Sequence, residues 1–587
     1  MAVYSENNNG ILYRKRLKKH AASVCKVKSI KKLLPITEWL PRYNLSFLIQ
    51  DIIAGITVGL TAIPQGIAYA VVAGLSPEYG LYASLTSGFV YIVFGSCKYV
   101  TVGPTAIVST MVAKYVLGYS PDFAILAAFL SGVLILLMGV FNLGFLVDFI
   151  SLPVIKGFTI AAALQIAASQ LKSFFALAGP SGNYFAESVY YFAINIKTAR
   201  LWDPILATIT IIMLILLQKL GLGCKRTDDL LKQIRWFISL ARNAVVVVIG
   251  MIVAYIIKVT LDDEPLALVG NIDKGLPKIQ PPPFNTVVGN ETYLFSDMLE
   301  VLGPQSIVLP LVVILESVAI SKAFAEGGKV DATQEMIALG LCNIVGSFAG
   351  SMPITGSFTR TALNYASGVQ TQAGGVTKCL LIIVSLTFLT STFYYIPNAS
   401  LAGLIIVAMF SMIEYEIILQ LWKVSKREFF LLTITIIVCL CTGLEYGIVA
   451  GIVLEALILL FYQSRPTIQV NTLKSDAGEI TVITLPDAVP YCAAEHLRRL
   501  LLKVSMKLDA NYVTVIDGTN LKSMDTTVAA NLLSVIEDYV RRLRPIWLLN
   551  FNSEVKNMCL VVNKNISDKF ISAPNVLDFA ISFRKEV

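Results

Sequence analysis

Long uncharged apolar runs alternate along the chain with short polar or glycine- and proline-rich breaks. Runs long enough to span a bilayer extend from Ile52 to Leu75, Phe123 to Val147 and Cys379 to Ile413. The last contains Ile396-Pro397-Asn398 and reads as two spans joined by a tight turn, because proline disfavours helix at the residue before it. Pro204 to Gln218, Asn243 to Ile257 and Phe429 to Leu444 are shorter and reach across when long side chains at their ends snorkel. Together the runs predict about a dozen to fourteen spans by the length rule. Two apolar stretches are broken from within: TVGPTAIVSTM, Thr101 to Met111, and GSMPITGSFTRT, Gly350 to Thr361. At bilayer depth, backbone freed by Gly and Pro must line a cavity or lie inside protein. Half-helices that start there aim positive N-termini at an anion, so the paired interruptions predict a transporter binding site.

Composition agrees with this pattern. The chain is 56% hydrophobic and 15% charged, against roughly 25% charged in an average soluble domain. That implies a polytopic membrane protein with soluble ends. Lys and Arg near the span ends set the orientation. Residues 1–50 hold ten Lys/Arg and two acids, Lys219 to Arg242 holds six and two, and Lys423, Lys426 and Arg427 mark a further basic loop. These are expected in the cytosol. Asp262 to Glu300, with seven acids and two lysines, is expected outside. The net charge of +8 is thereby topological, and no nucleic-acid partner is implied. Arg14 to Lys32 lacks the apolar core and cleavage site of a signal peptide and reads as a cytosolic tail touching anionic lipid. Asn290-Glu291-Thr292 in the outer loop is a glycosylation candidate. The nine cysteines form no CxxC pair, so neither a disulfide framework nor a metal site is expected. His20 and His496 both lie outside the predicted spans, which excludes a histidine proton relay in the membrane.

Hydropathy falls after Ser464-Arg465-Pro466, and three regions result: an N-terminal cytosolic region 1–50, a membrane domain 51–464 and a C-terminal domain 465–587. In the last, β-type runs Glu479 to Leu485, Tyr512 to Ile516 and Pro545 to Phe551 alternate with helical stretches Ala493 to Met506, Thr526 to Leu543 and Ser553 to Asn563. That alternation predicts a small α/β domain with a largely parallel sheet. Its loop from Asp517 to Thr527 leads from strand to helix, with Asp525 placed to cap the helix and Thr526 at the electropositive helix start, where a phosphate is stabilised. This pattern resembles the STAS domain, whose relatives are switched by phosphorylation just after the second Asp. Asp517, Asp525 and Thr526 are the regulatory candidates, with a plain N-cap as the competing reading.

The membrane domain and this tail together resemble the SulP sulfate permease family, known in animals as solute carrier family 26. The resemblance covers residues 35–587 and rests on PQGIAYA at Pro64 to Ala70, PEYGLYAS at Pro77 to Ser84, Val102-Gly103-Pro104, and Gln334-Glu335 through Arg360. It implies an all-α membrane domain of two inverted repeats of seven segments, divided into core and gate domains, followed by a cytosolic STAS domain. It also implies a homodimer, and an anion site where the third and tenth segments meet head to head. By resemblance, Gln65 and Tyr69 line the pocket, Thr359 and Arg360 take the positions of the family's Ser/Thr and Arg, and Thr105 follows the first Gly-Pro break.

Two helix N-termini carry roughly +0.5 each, and Arg360 adds a full charge, a sum close to the −2 of sulfate. Each residue also has a structural reading. Gln65 bridges helices, Tyr69 fills the core, and Arg360 snorkels to an interface. Glu316, which ends an apolar run from Val301, is a candidate proton carrier, because intramembrane carboxylates are costly unless neutral or paired. Its alternative is a fixed ion pair with Lys322 or Arg360. No GxxxxGK[ST] loop is present, so a built-in ATPase is unsupported, and no nucleophile and base pair points to an enzyme. The expectation is a secondary transporter of sulfate and related small anions, proton-linked and sodium-independent, in the plasma or lysosomal membrane. The alternatives are a chloride, bicarbonate or oxalate exchanger and an anion channel. Protons or chloride are the candidate coupling ions, and no cofactor is implied.

Overall fold

The computed structural model describes residues 33–145, 150–179, 182, 184–220, 230–261, 265–270, 272, 274–324, 330–475, 478–507 and 513–573. The basic stretch Arg14 to Lys32, and the centre of the basic segment 219–242, lie outside the described residues. The chain divides between Ile452 and Val453 into two compact units.

In the first unit, α1 (Leu45–Val72) and α2 (Pro77–Phe94) precede a two-residue strand β1 (Val102–Gly103) and the short helix α3 (Ala106–Gly118). Then follow α4 (Asp122–Val140), α5 (Leu152–Ser169), α6 (Trp202–Leu220) and α7 (Arg242–Leu261). The order of the first five elements then recurs in α8 (Gln305–Phe324), α9 (Ala332–Ser347), β2 (Thr355–Gly356) with α10 (Phe358–Ala366), and α11 (Gly374–Val384). A π-turn at Ser385–Leu389 carries α11 on to Phe393. After Pro397 come α12 (Asn398–Met412), α13 (Lys426–Thr442) and α14 (Leu444–Gln463), whose residues from Val453 on belong to the second unit. The apolar run 379–413 is thus two helices meeting at Pro397. Trp202–Leu220 and Arg242–Leu261 extend the first two short runs by about a turn or less at each end, whereas the helix over the third, Lys426–Thr442, starts three residues before its run and stops two residues short of Leu444. Among the described residues, nine helices are long and apolar enough to cross a membrane.

The helices pack as two sets. In one, α4 lies along α9, α11 along α1 and α2, and α8 along α4. In the other, α5 packs on α12 and α13, and α6 on α12 and α7. The first set owes its tight crossings to glycine. A Cβ on Gly80 of α2 would overlap the Gly66 carbonyl oxygen of α1, and one on Gly132 of α4 would sit 2.7 Å from the Ile344 amide of α9. Backbones this close lock helices by dispersion where the lipid gives no hydrophobic drive. Pro64 interrupts α1 one residue before Gln65 and removes one intrahelical bond. Outside the bundle, a hairpin pairs Thr286–Val288 with Glu291–Tyr293, and exposed Asn290 stands at its tip.

The second unit contains a five-stranded sheet. In chain order its strands are β3 (Gln469–Ser475), β4 (Gly478–Thr484), β5 (Val513–Asp517), β6 (Ile546–Leu549) and β7 (Phe570–Ile571), and in space β7-β6-β5-β4-β3. All neighbours are parallel except the β3–β4 hairpin. The edge strand β3 has no counterpart among the elements expected from sequence. Helices Ala494–Lys507, Thr526–Arg541 and Ser553–Val562 connect the parallel strands. Val528, Leu532, Val535, Ile536 and Tyr539 form one buried helical stripe against Ile483, Ile516 and Leu548.

Candidate anion-binding site

The two interrupted stretches meet. β1 and β2 pair antiparallel, Val102 opposite Gly356 and Gly103 opposite Thr355, so the chains leave the pair in opposite directions, each into a short helix. At about 1.5 Å per residue, α3 and α10 are roughly 20 Å and 14 Å long, each less than the ~30 Å hydrocarbon core. Their first turns lie at the junction. The N-cap residues, Thr105 and Ser357, are buried and make no side-chain cap bond to their helices, which leaves first-turn amides free for a ligand.

The surrounding helices hold the strands in place through polar bonds. Asn343 of α9 donates to the Ile354 carbonyl at 3.1 Å and accepts from the Ile354 amide at 3.0 Å. Thr355 donates to the Val313 carbonyl of α8 at 2.8 Å, and Ser87 of α2 to that of Val102 at 3.1 Å. Thr361 Oγ1 accepts from the Thr101 amide at 3.2 Å. The loop feeding β1 is clamped by Glu335, whose carboxylate accepts from the Tyr91 hydroxyl, the Ser96 hydroxyl and amide, and the Cys97 amide. Gln334-Glu335, a motif that sequence ties only to the family resemblance, therefore acts on the scaffold of the junction. Every one of these anchors belongs to the first helix set.

Arg360, in the first turn of α10, is 1% exposed and among the largest fully buried side chains. Nη2 donates to the Pro104 carbonyl at 2.7 Å, which ties the guanidinium across to the start of α3, while Nε and Nη1 have no partner among the described residues. It does not snorkel. Tyr69, Glu316 and Arg360 lie within electrostatic reach of one another. Gln65 and Tyr69, one turn apart on α1, are both buried, and Gln65 Oε1 likewise has no partner among the described residues. Thr105 Oγ1 donates to Glu316 Oε2 at 3.4 Å, which ties the carboxylate to the N-cap of α3. Thr359 is half-buried, with its hydroxyl 3.4 Å from that of Ser357.

A cavity of about 470 Å³ adjoins this cluster. One wall comes from the first set, through Ile107, Leu315, Glu316 and Phe358; the other comes from Ile155, Phe158, Met412 and Ile448 of the second set. At its rim Lys156 pairs with Glu414 at 2.5 Å. Glu316 thus faces both the junction and open space.

Two features are not apparent from sequence. Lys378 of α11, one residue before an apolar run, is 3% exposed and donates to the Val102 carbonyl at 3.3 Å. In the second unit, Asp525 precedes its helix but makes no side-chain cap bond; its carboxylate accepts from the Tyr491 amide at 2.6 Å. The expectation that Asp525 caps is corrected: the carboxylate is turned back to a neighbouring loop, where Oδ2 accepts from Tyr491, and makes no bond to the first helical turn. Thr526 is exposed at the helix start, and Asp517 closes a turn by accepting from the Thr519 amide at 3.0 Å.

The Sulfate permease family profile matches residues 48–435. The chain is 38% identical to the bovine sodium-independent sulfate anion transporter, over 91% of this chain and 88% of that one. It is 31% identical to an Arabidopsis thaliana protein named probable sulfate transporter 4.2, over 89% and 79%. Among solved structures, murine Solute Carrier 26 family member A9, an anion transporter in the inward-facing state, superposes with a TM-score of 0.84 over 96% of both chains at 21% identity, a likeness of fold. A polytopic, mostly helical membrane fold, a profile match across most of the membrane unit and nearly full-length similarity converge, and the chain belongs to the sulfate permease (SulP) family.

Proposed function

We propose that the chain is a secondary transporter of sulfate and related small anions that moves one helix set against the other, without sodium and with proton linkage through Glu316. The observation that carries this reading is Arg360, buried between two uncapped helix starts with two guanidinium nitrogens unpartnered among the described residues. The names of the relatives supply sulfate as the anion. An unpaired buried cation is costly, and a bound oxyanion offsets that cost by accepting from Nε, Nη1 and first-turn amides. Gln65, Tyr69, Thr105 and Thr359 are the substrate-binding residues of this reading.

In the same reading, the first helix set is the moving core and the second is the gate. Among the described residues the strand pair is anchored through the first set, while the cavity beside it has walls from both, so relative motion carries the site without dismantling it. The pairing of α4 with α9 and of α11 with α2 supports a seven-plus-seven inverted repeat, because exchanging the two halves turns one contact into the other. We assign residues 465–587 as a cytosolic STAS domain, residues 1–50 as cytosolic, the assembly as a homodimer in the plasma or lysosomal membrane, and Asn290 as glycosylated.

A dianion entering against a negative-inside potential is opposed by about 2.3 kcal/mol per charge at 100 mV. Glu316 couples a proton to that movement: ionised, it repels sulfate; protonated, it lets the loaded site cross. The test is labelled sulfate uptake into proteoliposomes under separately imposed pH and chloride gradients. The parent is expected to accelerate when the outside is acidified, and Glu316→Gln to exchange labelled for unlabelled sulfate without that acceleration. Unchanged acid stimulation in the variant removes Glu316 from the coupling, and dependence of the parent on opposite chloride, without acid stimulation, makes the protein an exchanger.

A further inference from the structure

We infer that Lys378 makes this site selective for doubly charged anions, an inference that rests on the site assigned above. Lys378 of α11 is a second buried cation, bonded to the strand that carries the junction. Its ammonium donates to the carbonyl of Val102, and Arg360 donates to that of Pro104, two residues further along the same extended segment. At about 3.3 Å per residue the two carbonyls are roughly 7 Å apart, so Lys378 stands of order 10 Å from an oxyanion held by Arg360.

Lys378 packs against Gly88 of α2, where a Cβ would lie 2.4 Å from Cys379 Sγ, 3.0 Å from Lys378 Cε and 3.2 Å from Nζ, so the glycine lets α11 approach α2 this closely. Val102 O is already bonded by Ser87, and a tether for the strand does not require a second, charged donor. A cavity of about 30 Å³, lined by Thr101, Asn364, Thr371 and Lys378, has room for a water. Among the described residues, no carboxylate forms a salt bridge with Lys378. Its field therefore acts on whatever charge occupies the junction.

A fixed charge acts on an anion in proportion to the anion's own charge. At about 10 Å and an effective dielectric near 20, Lys378 strengthens binding roughly tenfold for each negative charge, and so favours a dianion over a monoanion of equal shape by about that factor. Arg360 supplies contact and orientation; Lys378 acts without touching the substrate.

Sulfate and perchlorate are tetrahedral oxyanions of similar size that differ in charge, and the experiment titrates both into the purified full-length chain by calorimetry. In Lys378→Met and Lys378→Gln, sulfate affinity is expected to fall about tenfold more than perchlorate affinity, and in Lys378→Arg the parental ratio is expected to persist. If Lys378→Gln, which keeps a donor for Val102, keeps the parental ratio, or if both anions weaken equally, Lys378 is only a tether and the inference fails. Arg360→Gln separates the two layers: if it binds both anions as the parent does, the site assignment itself is wrong whatever Lys378 does.

Discussion

Replacing Arg360 by glutamine tests the site directly, because the structure fixes opposite signs for its effect on the empty and loaded protein. In the empty protein the guanidinium is buried, with Nε and Nη1 unpartnered among the described residues. Each unsatisfied buried donor costs about 1–3 kcal/mol, while the bond to the Pro104 carbonyl returns about 1.5–3 kcal/mol as a charged hydrogen bond. Removing all of these leaves the empty protein no less stable than the parent. Loaded, the variant lacks the cation opposite a buried dianion. Breaking such a pair costs about 3–5 kcal/mol, at least a hundredfold in affinity. The assay is the melting temperature of the detergent-purified chain with and without sulfate. At a sulfate concentration about 100 times the parental Kd, the parent gains about 2.7 kcal/mol. With affinity about 160-fold weaker, the same concentration stabilises the variant by roughly 0.3 kcal/mol. A parental sulfate-induced shift in Arg360→Gln, or a large loss of stability without sulfate, would refute the reasoning: the first denies the contact with the anion, and the second makes the arginine a structural element.

Gly80→Val is expected to abolish correctly folded protein, because a Cβ there already overlaps the Gly66 carbonyl oxygen; size-exclusion profiles of detergent extracts check this. Asp525→Ala is expected to cost about 1 kcal/mol by freeing the Tyr491 amide and to speed proteolysis near residue 490 in the full-length chain. Thr526→Ala, at an exposed helix start, stays within about 0.5 kcal/mol in the same assay. Burial pushes the Cys559 thiol up to about 11, so its thiolate is scarce at neutral pH and becomes abundant only as the pH passes that value. Maleimide at pH 7.5 is expected to label half-buried Cys492 in the native chain and Cys559 only on unfolding, as read by mass spectrometry. Asn290→Gln is expected to remove one glycan's mass from the protein made in animal cells.

Much of this fold is written in hydropathy, because lipid imposes one rule over a whole span. A run must satisfy its own backbone, and Cys379 to Ile413, longer than one span and split by Pro397, has few other solutions. The parallel strands of the second unit are legible for a related reason: buried on both faces, they read as continuous apolar runs. Strand β3, Gln469–Ser475, is not, since QVNTLKS is polar and finds its place only by pairing with β4. The Asp525 cap fails for the same reason, because its partner is contributed by Tyr491, 34 residues away in sequence.

The site is legible where it breaks the lipid rule and hidden where it obeys it. Arg360 stands out because it follows Gly and Pro within an apolar stretch, and Glu316 because a carboxylate ends one. Lys378 does not, because a lysine at the edge of an apolar run is what any span carries to its interface. Position along a helix does not tell a snorkelling lysine from a buried one; the difference lies in the Val102 carbonyl, 276 residues earlier in the chain. The same holds for Asn343, Ser87 and Glu335, ordinary helix-border polar residues in sequence that together fix the strand pair. Residues that violate local rules mark functional sites. Those that hold such a site in place satisfy local rules, and their role appears only when the two halves of the chain are brought together.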